Sequence, residues 1–518
     1  MKESRRFYPN KELAAHILGF VGVDNSGLSG IEATYDSLIK GRPGTVLIQT
    51  DARRHVFSRN EKPPTAGASL ELTIDHYLQY IAERELRAGI DRAGAAGGSA
   101  VVMDPGTGEI LALANWPTFN PNAFREFDAS ERRNRAIQDL YEPGSTFKIV
   151  TASAGIEEGV VTPETMIDAS AGQIRFGSRV IRDDHNVGVV PFADIVVESS
   201  NVGAIKVALQ LGAPRVGDYV RRFGFGRRSS PDFPAESPGI VWDPARLNDS
   251  ALASVAMGYQ VGVTPLQVAA AVSTIANGGE LIEPRVVRAV IRDGARLPVP
   301  RKVVGRAINQ ETAATLAEIM EAVVTRGTGA NAGIDGFRVA GKTGTAKKLV
   351  NGRYDGHNDY NVSFVGFVPS RNPQFTIVVV VDSPRKLPAY GSQVAAPIFQ
   401  RIASEALRHY GIAPTLDAEP PLLVARRSDP VQPASGAAGL PSIVTVAAAT
   451  SGTDSSGFPD LRGLSAREAL RTLAQVGVTA RLHGTGIVID QSPLPGSAIE
   501  AGTAATLQLG RRPLDVAP

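Results

Sequence analysis

Glu142-Pro143-Gly144-Ser145-Thr146-Phe147-Lys148 is the stretch on which the reading of this chain turns. Pro143 and Gly144 interrupt any regular element before them. After Ser145 an apolar pattern of helical spacing runs through Phe147, Ile149, Val150, Ala152 and Ala154 to Gly159. A serine in the first turn of a helix has its hydroxyl beside free backbone N–H groups and the positive end of the dipole. Lys148 follows one turn later on the same face. The stretch therefore predicts a nucleophilic serine with an amine base beside it. Spacing alone does not decide the matter, because Ser37…Lys40 and Ser383…Lys386 repeat it. Any one copy also reads as a solvated helix face.

What singles out Ser145 lies downstream. Ser199-Ser200-Asn201 comes next; Ser-x-Asn recurs at Ser58/Asn60 and Ser370/Asn372, so by itself it reads as a turn or cap. Gly341-Lys342-Thr343-Gly344-Thr345 follows on a β-like segment, and Lys-Thr-Gly occurs once in the chain. Glycines flanking a strand pattern predict that another part of the molecule approaches it closely.

Around these motifs the chain divides by texture. Residues 1–62 read as the last part of a non-catalytic region plus a linker, with a turn at Gly41-Arg42-Pro43-Gly44 and a Pro-bearing connection over 60–67. Residues 63–412 read as one block. Ile74 to Ala93 forms an amphipathic helix with Leu78, Ile81, Ala82 and Leu86 inward. Two apolar runs around Pro105-Gly106-Thr107-Gly108 form a hairpin. From about 160 to 330 the pattern is mostly helical, with a capping box at Thr264-Pro265-Leu266-Gln267. Arg338–Ala346, Val362–Val368 and Phe375–Asp382 read as strands, and Val394–His409 as a closing helix. That order predicts an α+β fold: a mainly antiparallel sheet sandwiched by helices, with an all-helical subdomain inserted. Residues 413–455, rich in Pro, Ala and Ser, read as a flexible linker. Residues 456–511 read as a small α+β module of one helix, capped at Ser465-Ala466-Arg467-Glu468 and stopped by Gly477, and three strands; 512–518 form a tail.

Composition narrows the function. The 54 Lys and Arg against 52 Asp and Glu give a net charge of +2, so no basic excess exists for nucleic acid. The absence of cysteine excludes disulfides, thiolate catalysis and Cys-based metal sites. The seven histidines fall in no metal-ligand pattern, and no metal or cofactor is expected. Asp183-Asp184-His185 reads as a polar loop. The most apolar run, Phe375 to Val381, reads as a buried strand and is far short of a membrane span.

Ser-x-x-Lys, Ser-x-Asn and Lys-Thr-Gly, in that order within one block, mark penicillin-binding proteins and serine β-lactamases. The sequence resembles a class B penicillin-binding protein of the division or sporulation type over nearly its whole length. Arg6-Phe7-Tyr8-Pro9, Met103-Asp104-Pro105, Ser199-Ser200-Asn201-Val202-Gly203 and Thr264-Pro265-Leu266-Gln267 carry that likeness. The C-terminal module resembles a PASTA domain at Pro459-Asp460, Gly463-Leu464, Gln491, Pro493 and Pro495-Gly496. The resemblance implies a peptidoglycan D,D-transpeptidase. Ser145 would be acylated by D-Ala-D-Ala stem peptides and by β-lactams. Lys148 would be the base, with its pKa lowered by the ammonium of Lys342. Ser199 would relay a proton, and Asn201 would hold Lys148 and the substrate amide. Thr343, Gly344 and Thr345, with Lys342, would receive the terminal carboxylate, and the N–H groups of Ser145 and Thr345 would form the oxyanion hole. An amine on a neighbouring strand would then take the acyl group. The family further implies work in septal wall synthesis at the extracytoplasmic face of the membrane, beside a membrane glycosyltransferase and other division proteins. Its N-terminal membrane anchor is not in this sequence. A serine β-lactamase and a cell-wall-binding divisome scaffold are the alternatives. The long Asn201–Lys342 interval argues against the first, and the intact motifs argue against the second.

Overall fold

The computed structural model describes residues 6–349, 354, 359–414, 416, 458–464, 466–475, 478–484, 487–497 and 504–510. Two compact units result, residues 1–423 and 424–518.

In the first unit, α1 (His76–Ala93) is capped by the Asp75 carboxylate, which accepts the Leu78 N–H, and ends at Gly94 in the left-handed region. The hairpin β1 (Gly97–Met103) and β2 (Ile110–Trp116) follows as expected. The chain then builds a subdomain on α2 (Lys148–Glu157) and α3 (Asn201–Leu211). Next come α4 (Pro265–Ala276), α5 (Gln310–Arg326), β3 (Ala340–Lys347), β4 (Tyr360–Val368), β5 (Phe375–Asp382) and α6 (Gly391–His409). The five strands form one antiparallel sheet in the order β3-β4-β5-β1-β2.

Strand alternation sorts the apolar residues into two cores. Val102, Val362, Phe364, Val379 and Val381 face Leu78 and Leu86 of α1 and Ile398, Phe399 and Ile402 of α6. Val101, Val365, Phe367, Val378 and Val380 share the other core with Val268, Val272 and Ile275 of α4. Each such side chain stabilises the fold by about 1.5–3 kcal/mol relative to an exposed one. Gly89 lets the two helices on the first face approach: a Cβ there would lie 2.2 Å from Ile398 Cδ1. The capping box at Thr264 and Gln267 forms as expected, and Gln267 also ties down the backbone of Arg227 and Pro238.

Two expectations need correction. The connection over 60–67 begins inside a strand, because Val56–Lys62 pairs with Thr45–Thr50 in a hairpin. A contiguous Val46-Leu47-Ile48 lacks the period-2 alternation that would have revealed it. The 160–330 region also holds short strands, including Met166–Asp168 with Val189–Pro191 and Gln173–Phe176 with Arg179–Arg182. Such pairs of three or four residues leave little periodicity to read. The N-terminal segment is tied to the body by a buried carboxylate: Asp232 accepts the Tyr35 hydroxyl at 2.5 Å and the N–H groups of Val286 and Val287.

In the second unit, α7 (Ala466–Gln475) packs on β6 (Thr479–Gly484), β7 (Ile487–Ser492) and β8 (Ala504–Gly510). β8 lies in the middle, parallel to β6 and antiparallel to β7. Phe458, Leu461, Leu473, Val488 and Leu507 fill its core. Gln491 is buried and bonds Leu461, Pro459 and Pro493, which explains why it sits among these prolines. The linker over 417–455, the 512–518 tail, the cap at Ser465 and the stop at Gly477 lie outside the described residues.

Candidate active site

Gly144–Phe147 is a 3-10 turn that leads directly into α2. Gly144 takes φ +55° and its N–H donates to the Gly258 carbonyl. On its other side, a Cβ would lie 3.0 Å from the Thr345 carbonyl oxygen. The turn that carries Ser145 is thus wedged between β3 and the 258 loop. The close approach expected at β3 is this one. A Cβ on Gly344 would lie 2.4 Å from Ser363 Oγ and 2.9 Å from the Pro143 carbonyl oxygen. Gly344 contributes the absence of a side chain, which lets the nucleophile's turn lie against the strand.

β3 is an edge strand, so one side of its backbone is open to pair with an extended ligand. Thr343 Oγ1 lies 2.9 Å from Thr328 Oγ1, and Thr345 Oγ1 accepts the Gly391 N–H at 3.2 Å. Ser145 is half-buried, and among the described residues nothing hydrogen-bonds its hydroxyl.

Two lysines converge on one serine. Lys342, 0% exposed, donates to Ser199 Oγ at 2.8 Å. Lys148, 2% exposed, donates to the Ser199 carbonyl, to Ser199 Oγ at 3.3 Å and to Asn201 Oδ1 at 2.8 Å. Burial brings Lys148 down to about 7, and the nearby charges of Asp183 and Asp184 oppose that shift. Lys342 is also pushed well down, first by burial and then by the ammonium of Lys148. The expectation that Lys342 sets the basicity of Lys148 is thus corrected in its cause. Removal from water is what lowers Lys148, and the repulsion between the two ammonium groups acts on Lys342.

Ser199 is held at φ +62°, a left-handed conformation that costs a residue bearing a Cβ about 1–2 kcal/mol. Strain of this kind marks a residue whose position matters more than its comfort. Asp183 holds the residues that follow Ser199. Its carboxylate accepts the Ser200 hydroxyl at 2.7 Å and the N–H groups of Asn201 and Val202 at the head of α3. Asn201 Nδ2 donates to the Arg182 carbonyl oxygen. The polar-loop reading of Asp183 missed this role. An aspartate opposite a helix N-terminus was the available signal, but the contact spans eighteen residues of chain. His185 pairs at the surface with Glu198. Thr328 was likewise missed, since nothing in its local sequence places it beside Lys-Thr-Gly.

Lys148, Ser199, Asn201 and Lys342 are thus joined by hydrogen bonds, and the turn that bears Ser145 lies against the Thr343–Thr345 edge. Residues 98–404 match the model of the penicillin-binding protein transpeptidase domain. Residues 1–72 match that of the penicillin-binding protein dimerisation domain, and 458–511 that of the PASTA domain. The chain belongs to the class B penicillin-binding proteins. It is 36% identical over 430 residues to stage V sporulation protein D of Bacillus subtilis, covering 80% of this chain and 65% of that protein. It is 34% identical over 416 residues to peptidoglycan D,D-transpeptidase FtsI of Escherichia coli, covering 80% of this chain and 68% of that one. The crystal structure of penicillin-binding protein 3 of Mycobacterium tuberculosis in complex with aztreonam superposes with a TM-score of 0.71 at 31% identity, over 80% of this chain and 92% of that one. The chain thus spans about two thirds of the length of these curated relatives.

Proposed function

We propose that this chain is a serine D,D-transpeptidase that cross-links peptidoglycan stem peptides, with 63–412 as its catalytic domain. The observation that carries this reading is the pair of buried lysines, without an ion pair among the described residues, meeting at Ser199 beside a helix-head serine. A donor peptide lies along the open edge of β3, with its terminal carboxylate at Lys342, Thr343 and Thr345. Ser145 Oγ attacks the carbonyl between the last two D-alanines, and its proton passes to neutral Lys148 Nζ. At about 7 that lysine is poised between its two protonation states near neutral pH. The developing oxyanion is met by the N–H groups of Ser145 and Thr345. The C–N bond then breaks, and the D-alanine nitrogen leaves with a proton relayed from Lys148 through Ser199. Asn201 keeps Lys148 in place and offers its amide to the substrate. An acceptor amine finally displaces Ser145 from the ester. β-Lactams, which present the same carboxylate and acyl group, acylate Ser145.

The finer assignment is septal synthesis at the extracytoplasmic face of the membrane, beside a glycosyltransferase that supplies new strands. It rests on the similarity to the sporulation and FtsI relatives. Incubation with a fluorescent penicillin tests the chemistry. Covalent labelling with slow release is expected, and labelling that survives Ser145→Ala, or rapid turnover of the penicillin, overturns it.

A further inference from the structure

The N-terminal region carries an arm that stands in water. Thr45–Thr50 and Val56–Lys62 pair with each other and, among the described residues, with no third strand, so both outer edges of the hairpin are free. Its base is fixed: Arg42 and Thr65 exchange both backbone hydrogen bonds, and the Ala68 N–H donates to the Leu38 carbonyl. Beyond the base, Val46, Leu47, Ile48 and Val56 are all exposed, from 50% at Val46 to 64% at Leu47. Val46 and Ile48 project to one face and Leu47 to the other, because side chains alternate along a strand. Neither face is therefore buried on a core, and a lone two-stranded hairpin is at best marginally stable in water.

The charge on the same arm is one-sided. Residues 40–62 hold six Lys and Arg against Asp51 and Glu61, a net of +4 in a chain whose total is +2. The positive excess of the molecule is thus concentrated here, and the remainder is net negative. Arg59 pairs with Glu61 and His55 with Asp51, whereas Arg53 and Arg54, exposed at the tip, make no ion pair among the described residues. Aliphatic side chains beside uncompensated cations complement an anionic lipid surface, where phosphates meet the arginines and the acyl boundary takes the aliphatic groups. A soluble polyanion would satisfy the charge alone. Strands of six and seven residues fall short of the roughly 9–11 needed to cross a bilayer, so the contact is interfacial.

We propose that the Thr45–Lys62 hairpin docks on an anionic lipid surface. It lies edge-on in the interface, with Arg53 and Arg54 at the phosphate headgroups and Val46, Leu47, Ile48 and Val56 in the headgroup–acyl boundary. Edge-on, both faces are covered at once, and the free backbone N–H groups of one edge meet phosphate oxygens. This contact is separate from any membrane-spanning anchor and does not depend on the transpeptidase reading, since none of Ser145, Lys148, Ser199, Asn201 and Lys342 belongs to the arm.

The test is co-sedimentation of the whole chain with vesicles of phosphatidylglycerol and phosphatidylcholine in equal parts, compared with phosphatidylcholine alone. Partition onto the anionic vesicles should be about tenfold stronger or more at low salt. Arg53→Glu combined with Arg54→Glu should lower it by about tenfold or more, and Leu47→Asp by about threefold or more. Labelling by a fluorescent penicillin should stay within twofold in every variant, which reports that the catalytic domain is intact. Because the chain holds no cysteine, Leu47→Cys takes a single polarity-sensitive fluorophore, whose emission should shift to the blue on the anionic vesicles. Equal partition onto both vesicle types, or onto neither, overturns the proposal. So does a label that stays in water on chain bound to vesicles, which would place the contact elsewhere. Binding to inorganic polyphosphate that matches the vesicles and is indifferent to Leu47→Asp would make the arm a polyanion site. A dimer in sedimentation that Leu47→Asp dissolves, with vesicles ignored, would give the arm to a second copy of the chain. Either of these results also overturns the lipid surface.

Discussion

Ser145…Lys148 and Ser383…Lys386 have the same spacing and opposite fates. Lys148 sits in the first turn of a helix, removed from water, bonded among the described residues to a carbonyl, a hydroxyl and an amide. Burial drives it toward the free amine against the smaller opposing effect of the Asp183 and Asp184 charges. Ser383 is buried too, but it lies before α6 at φ +51°, and its hydroxyl donates to Asp382 while accepting from Lys348. Lys386 is exposed and lays its aliphatic stem over Gly94. The third copy, at Ser37, ends with Lys40 donating to Ser26 in solvent. The comparison teaches that Ser-x-x-Lys is chemistry only where a helix head supplies donors and the amine is dry without being ion-paired.

The harshest way to break that contrast is to remove its active half. Ser145→Ala should abolish covalent labelling by a fluorescent penicillin, a loss of about 10⁴-fold or more in acylation rate. Labelling that persists would move the nucleophile elsewhere. Lys148→Met keeps the volume of the side chain and deletes the base, and should lower acylation by about 10²–10⁴-fold. Lys148→Arg should not rescue it, because a guanidinium stays protonated. In wild type, acylation should rise with pH through about 7, as Lys148 loses its proton, and then level off. The stability linkage has a defined sign. Lys148 binds fewer protons folded than unfolded between about pH 7 and its ordinary value of 10.5, so its contribution to stability rises with pH across that window. Melting temperatures of wild type and Lys148→Met, compared at pH 7 and pH 9.5, should show a smaller pH effect in the variant.

A milder break acts through position. Asp183→Asn retains the size of the group that bonds Ser200, Asn201 and Val202, but loses the charge at the head of α3. Loosening Ser199 and Asn201 should slow acylation by about ten- to hundredfold. Because the charge of Asp183 raises Lys148, its removal should also move the inflection of the acylation profile to lower pH. A purely structural role for Asp183 would lower the rate and leave the inflection in place.

What the sequence disclosed follows from the range of the forces involved. The β1–β2 hairpin, the three late strands and the Thr264 cap are written in neighbouring residues, so periodicity and turn chemistry expose them. The convergence of Ser145, Ser199 and Lys342 was legible as motif order, through likeness to a family, and not as geometry. Asp183 and Thr328 were not legible, because each owes its environment to a segment remote in the chain. The same holds for why Lys148 is weakly basic. A like-charged neighbour can be guessed from a second motif, but burial is a property of the assembled core.

The smallest expected effect is the control that gives the comparison its meaning. Lys386→Ala removes an exposed ammonium that bonds no substrate group, and penicillin acylation should stay within twofold of wild type. Stability should change by no more than about 0.5 kcal/mol. Ser383→Ala should differ from both Lys386→Ala and Ser145→Ala. It deletes a buried hydroxyl that links Asp382 to Lys348, at a backbone conformation alanine does not favour, so a loss of about 1 kcal/mol in urea denaturation is expected with acylation unchanged. If Ser383→Ala instead slowed acylation while leaving stability intact, the second copy of the motif would belong to the chemistry after all. The rule drawn from Lys148, that dryness without an ion pair selects the working copy, would then be wrong.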